Sequence, residues 1–176
     1  MTAPVLILPG LYNSGPQHWQ SHWQAAHPDF IRVEQQDWET PHCADWVATL
    51  DQAIAQCNEP PVLVGHSLAC TLIGKWAEQH QRPIKGALLV GPSDIEAPSY
   101  PAGTHGFGTM VTMRLPFPSI VVASSNDEYV TLARAHEFAA NWGSDIVEVG
   151  PLGHINSSSN LGLWPEGFAL LAKLRG

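Results

Sequence analysis

The residues with the clearest chemistry are Gly65-His66-Ser67-Leu68-Ala69-Cys70, which follow the apolar triplet Val62-Leu63-Val64 and run directly into Leu72, Ile73, Trp76 and Ala77 at helical spacing. Strand, tight turn and helix in that order make a nucleophile elbow, which lifts a serine hydroxyl above the end of a sheet while small neighbours let strand and helix approach. The plainer alternative for Ser67 is the N-cap of that helix. A serine hydroxyl is a weak nucleophile until a base takes its proton and an acid orients the base. Both follow in the chain: Asp127 closes Ser124-Ser125-Asn126-Asp127 after one apolar run, and His154 closes Gly150-Pro151-Leu152-Gly153-His154 after the next. Ser67, Asp127 and His154 thus form a candidate catalytic triad, each expected at the carboxyl end of a strand. Asp94 is the alternative acid, and Asp127 has a plainer alternative as a turn or cap residue. Of the nine histidines, His18 and His22 share a helix face but lack the glutamate of a His-Glu-x-x-His metal site, and His66 reads as a packing residue.

An acyl-transfer intermediate also needs preorganised N–H donors for its oxyanion. The residue after the nucleophile and one from the first loop, Pro9-Gly10-Leu11-Tyr12-Asn13-Ser14-Gly15, can supply them, which assigns the backbone N–H groups of Leu68 and Leu11; a plain glycine turn is the alternative for that loop. Tyr12, His18 and Trp19 are candidate substrate contacts, with Phe107, Met110 and Met113 as further pocket walls, although periodicity equally allows several of these to be core. This chemistry calls for no metal and no organic cofactor.

These residues must be positioned by a sheet. Six short apolar runs, Val5 to Leu8, Phe30 to Glu34, Val62 to Val64, Ala87 to Val90, Ile120 to Ala123 and Ile146 to Val149, alternate with helical patterns near Gln17 to Ala26, Cys43 to Gln56, Leu68 to His80, Thr131 to Trp142 and Pro165 to Leu174. Such alternation indicates βαβ units and a mainly parallel sheet covered on both faces, a three-layer α/β sandwich. Right-handed crossovers favour the strand order 2-1-3-4-5-6, whose switch point between strands one and three places ligands beyond the ends of Leu8 and Val64. The Gly- and Pro-rich stretch from Gly91 to Ser119 lacks a period and reads as a reduced lid, with no large cap domain.

Composition bounds the rest. The 176 residues suit a single domain spanning 1–176, and 44% hydrophobic with 14% charged residues is globular composition. A net charge of −8 without a basic stripe argues against nucleic acid and anionic lipid as partners. No apolar run reaches membrane-span length, and Met1 to Leu8 lacks the basic start of a secretory signal. Three widely spaced cysteines read as reduced thiols, so a cytoplasmic location is expected.

Three stretches carry a resemblance to a known group: Pro9-Gly10 to Ser14 with His18-Trp19-Gln20, the elbow Gly65 to Cys70, and Gly153-His154-Ile155-Asn156 running into Leu161-Gly162-Leu163-Trp164-Pro165-Glu166-Gly167. In these the chain resembles the small serine hydrolases of the retinoblastoma-binding-protein-9 family, a minimal α/β-hydrolase group, over nearly its whole length. The resemblance implies a Ser67, Asp127, His154 triad and hydrolysis of small carboxylic esters or amides. Ala69 departs from the second elbow glycine. Asn160 stands where glycine is usual, and Asn tolerates a left-handed backbone. The Leu-x-Cys-x-Glu string behind the family's name is incomplete here, since Leu68-Ala69-Cys70-Thr71-Leu72 lacks the glutamate, and that partner is not carried over. The partner expected is a small-molecule ester or amide; the competing expectation is an interaction protein that keeps the fold without turnover.

Overall fold

The computed structural model describes residues 3–176. Its strands are β1 (Val5–Leu8), β2 (Phe30–Arg32), β3 (Val62–His66), β4 (Gly86–Val90), β5 (Ser119–Ala123) and β6 (Asp145–Glu148), and its helices are α1 (Trp19–Ala26), α2 (Cys43–Ala55), α3 (Leu68–Gln79), α4 (Leu132–Trp142) and α5 (Pro165–Arg175). All strand pairs are parallel, in the order β2-β1-β3-β4-β5-β6. The expected switch point between β1 and β3 is therefore present, with Leu8 level with Gly65.

Side chains of a strand alternate between faces, and this divides the core in two. Leu6 and Leu8 of β1 join α2, α3 and α4 on one face, whereas Val5 and Ile7 join α1 and α5 on the other. The central strands are buried throughout, while β6 at the edge leaves Asp145 and Glu148 exposed. Strand β2 ends at Arg32, two residues short of expectation, although the Val33 N–H still bonds the Ile7 carbonyl at 2.9 Å.

Local signals set the helix ends. Helix α1 starts at Trp19 because the His18 side chain takes the cap position, its Nδ1 accepting the Gln20 N–H at 3.1 Å. Thr131 caps α4 at its start, and Gly143 closes it with a left-handed φ of 67°. Pro165, whose missing N–H costs nothing in the first turn, opens α5.

The segment from Gly91 to Ser119 corrects the lid expectation. Phe107, Met110, Val111, Leu115 and Phe117 are buried in the α2, α3 and α4 core, and Met113 packs against it. Two carboxylates pin this segment to α4: Arg134 donates from Nε and a terminal nitrogen to Asp94 at 2.8 and 3.0 Å, and also to Glu96. Ser93 at its start and Tyr100 and Pro101 from its middle are the parts of this segment that line the cleft described below. The segment is thus chiefly a wall of the core.

Candidate active site

Ser67 stands between β3 and α3 with φ 59° and ψ −123°, and its side chain makes no cap hydrogen bond. Strain of this kind in a non-glycine residue persists only where the surroundings hold it. The Ser67 N–H bonds the Val90 carbonyl at 3.0 Å, and the loop after β1 packs closely against the turn. Gly10 permits that approach, since a Cβ there would lie 2.8 Å from both the His66 carbonyl oxygen and Ser67 Cβ. The same contact brings the Leu11 loop against the first turn of α3, a Gly10 Cβ position lying 3.3 Å from the Leu68 nitrogen. Among the described residues, neither the Leu11 nor the Leu68 N–H has a hydrogen-bond partner within the protein. Both donors flank Ser67 at the positive end of α3.

His154 meets Ser67 from across the sheet. Its Nε2 is 2.9 Å from Ser67 Oγ, and its Nδ1 is 2.9 and 2.8 Å from the two carboxylate oxygens of Asp127. The Asp127 side chain has no exposed surface. A carboxylate only accepts, so Nδ1 carries the proton, Nε2 accepts, and the Ser67 hydroxyl donates to it. The hydroxyl's one proton is then committed, which makes Ser93, 2.7 Å away, the donor to Ser67 Oγ. Asp94 lies just beyond Ser93, but its carboxylate faces Arg134.

The loops carrying Asp127 and His154 are tied to one another. Asn126 Oδ1 accepts the Gly153 N–H at 2.7 Å, and Ser124 Oγ accepts the Leu152 N–H at 2.9 Å. Gly91 backs the pair: it has φ 54°, and a Cβ there would lie 3.3 Å from Asp127 Oδ2. Ile155 adopts φ 50° immediately after His154, an outlier for a β-branched residue. Two anchors fix that backbone, with the Trp19 indole N–H donating to the Ile155 carbonyl at 2.8 Å and His66 Nε2 donating to the His154 carbonyl at 2.8 Å. Burial pushes the His66 pKa well below the ordinary histidine range, so the ring stays neutral and acts as packing and support.

The cleft beside Ser67 has a volume of about 210 Å³ and is lined in part by Leu11, Tyr12, His18, Tyr100, Tyr129 and His154. Tyr12 is 61% exposed at its rim and His18 is buried in its wall. Trp19 is not a lining residue: it is fully buried in the α1 and α5 core, where its ring packs on Trp23 and Trp164. Phe107, Met110 and Met113 belong to the opposite core. Sequence reasoning missed Ser93, Tyr100, Asn126 and Gln20. Gln20 staples the switch point, its amide donating to the carbonyls of Leu8 and Val64 at 3.1 Å each. For Ser93 and Asn126 a signal existed, since each is a polar residue just past the carboxyl end of a strand.

The sequence model of the serine hydrolase family matches residues 5–173. The chain belongs to the serine hydrolase family. A crystal structure assigned to a YdeN-like hydrolase of Pectobacterium atrosepticum is 30% identical, the match covering 98% of this chain and 90% of that one with a TM-score of 0.87. The ydeN gene product of Bacillus subtilis shares the fold at 21% identity and a TM-score of 0.82, with 98% of each chain covered. Est1E of Butyrivibrio proteoclasticus, solved with ferulic acid bound, shares it at 10% identity and a TM-score of 0.71, with 98% of this chain and 89% of that one covered. A comparison with curated proteins finds no match. This serine hydrolase has the α/β-hydrolase fold expected from its elements, and hydrolysis is the activity its family and neighbours support.

Proposed function

We propose that this hydrolase cleaves small carboxylic esters, and amides where the leaving group permits, through an acyl-enzyme on Ser67. The observation that carries the reading is the unbroken series Ser67 Oγ, His154 Nε2, His154 Nδ1, Asp127, each step within 2.9 Å. His154 removes the Ser67 proton as Oγ bonds to the substrate carbonyl carbon, and returns it to the leaving oxygen or nitrogen as that bond breaks. Water, deprotonated by the same imidazole, then bonds to the acyl carbon, and as the Ser67 Oγ–acyl bond breaks the imidazolium returns the proton to Oγ and the acid leaves. Asp127 holds the tautomer and stabilises the imidazolium. The unpaired N–H groups of Leu11 and Leu68 meet the oxyanion. Ser93, donating to Ser67 Oγ in the resting site, holds the hydroxyl in the elbow.

The stretches that resemble the retinoblastoma-binding-protein-9 group support the same assignment. Free Cys43, Cys57 and Cys70 fit a reducing cytoplasm, and the small cleft fits a small-molecule partner rather than nucleic acid or membrane. Among the described residues no helix is long and apolar enough to cross a membrane.

The test is labelling of wild type and Ser67→Ala with a fluorophosphonate probe, read by intact mass. A single adduct on wild type alone is the expected result. No adduct on well-folded wild type would favour a fold kept for interaction without turnover.

A further inference from the structure

Among the described residues, three buried side-chain polar atoms have no partner within the protein, and two of them, His18 Nε2 and the Tyr100 hydroxyl, belong to residues lining the Ser67 cleft. Buried polar groups are nearly always paired, so two such groups at one cleft mark something that the cleft receives. His18 is only 3% exposed, and its Nδ1 accepts the Gln20 N–H, which leaves its proton on Nε2. Burial first, with Arg32 adding to it, lowers its pKa to about 3, so the ring presents a neutral donor at any working pH. The Tyr100 hydroxyl can donate or accept.

Charge narrows the choice further. Among the described residues no Asp, Glu, Lys or Arg lines the cleft, whereas Asn13, Asn156, Ser157 and Ser158 do. A carboxylate substrate would find no cation and an ammonium substrate no anion, and either would be desolvated without compensation. A plain alkyl chain would cover both orphan groups and leave them unpaired, the circumstance in which polar sites discriminate most strongly. The volume of about 210 Å³ is below the ~300–1,000 Å³ of drug-sized sites.

We propose that the substrate is a small uncharged ester carrying, besides its scissile carbonyl, a neutral hydroxyl, ether or carbonyl oxygen that pairs with His18 Nε2–H and the Tyr100 hydroxyl. This rests on Ser67 being the nucleophile. The assignment concerns selectivity among esters, so it is tested by matched pairs in which one CH2 or CH3 group is exchanged for oxygen.

The pairs are 4-nitrophenyl butanoate against 4-nitrophenyl methoxyacetate for the acyl side, and propyl butanoate against 2-hydroxyethyl butanoate for the alcohol side. Each kcat/KM is divided by the ester's own hydroxide rate to remove intrinsic reactivity. In at least one pair the oxygen-bearing member is favoured by about ten-fold or more, and Tyr100→Phe, with its melting temperature checked, cuts that preference to less than about three-fold. The hemisuccinate of 4-nitrophenol is the poorest acyl substrate. Equal corrected rates in both pairs with active alkyl esters, or a preference for the hemisuccinate, would overturn this assignment alone. If every ester is inert and the fluorophosphonate leaves no adduct, the nucleophile reading fails and this one fails with it.

Discussion

Replacing Asp127 by asparagine changes one atom's chemistry in a site that has no room to adjust. Asp127 Oδ1 accepts the Tyr129 N–H at 2.9 Å, and both oxygens face His154 Nδ1. In Asp127→Asn the amide oxygen keeps the Tyr129 N–H, so the amide nitrogen turns toward Nδ1. Two donors cannot face each other, and the imidazole responds by moving its proton to Nε2. That nitrogen then donates to Ser67 Oγ where it must accept, and the base is lost while the shape of the site is kept. The cost of the wrong tautomer is about 10⁴-fold in kcat, or ~5 kcal/mol of transition-state stabilisation. The assay is the initial rate on an activated ester, together with a thermal melt to show that the fold survives. Asp94→Asn is the paired control: its carboxylate is engaged by Arg134 at 2.8 and 3.0 Å, so the variant lowers the melting temperature and keeps kcat within about ten-fold, a reduction from loosened packing rather than lost chemistry. A loss below ten-fold at Asp127 with a severe one at Asp94 would refute the assignment of the acid.

Three further outcomes follow from the geometry. Gly10→Ala puts a Cβ 2.8 Å from the His66 carbonyl oxygen and Ser67 Cβ; displacing the Leu11 donor lowers kcat by about 10²-fold with a smaller change in KM, measured by steady-state kinetics. Trp19→Phe strips the Ile155 carbonyl of its buried donor, costs about 1–3 kcal/mol in urea denaturation, and lowers kcat by loosening His154; a variant with unchanged kcat and midpoint would show the bond to be idle. His18, at about 3, and His66, well below its ordinary value, are both lowered in the folded state. The unfolded chain therefore takes up protons first, so stability is complete above the unfolded value near pH 6.5 and falls as pH drops below it. Between pH 6 and 5 the loss is about 1 kcal/mol from His18, and His66 adds to it in the same direction; a denaturation midpoint constant over that range would contradict it.

The sheet was legible because central parallel strands are apolar on both faces and helices between them show a 3.6-residue period; Val62 to Val64 displays the first, and Trp46, Leu50 and Ile54, buried along one face of α2, display the second. Strand β6 was displaced by one residue, since an edge strand with Asp145 and Glu148 exposed carries less of the apolar signal. Ser67, Asp127 and His154 were legible because strand ends and chain order constrain them jointly, and the structure brings the three within hydrogen-bond reach. Trp19 was misplaced because a helical pattern tells which face is apolar but not whether that face meets a cleft or a core. The Gly91 to Ser119 segment misled for another reason: irregular backbone can bury Phe107, Val111 and Phe117 with no period at all. Tyr100 emerges from that segment, so a cleft-lining residue with an unpartnered hydroxyl lies where sequence patterning is silent.

The indole bonds from α1 have a consequence for folding. Trp19 reaches Ile155 across 136 positions of sequence, and Trp23 donates to the Leu163 carbonyl across 140. Contacts of such separation are costly in loop entropy and form late. The loop that aims His154 is therefore held by a helix from the opposite end of the chain. A partly folded polypeptide in which α1 has not docked keeps the bonds from His66, Asn126 and Ser124 to the His154 loop but lacks the Trp19 anchor on Ile155. Hydrolytic competence in this architecture should arrive with closure of the whole chain, which keeps an activated serine from existing in molecules that have not finished folding.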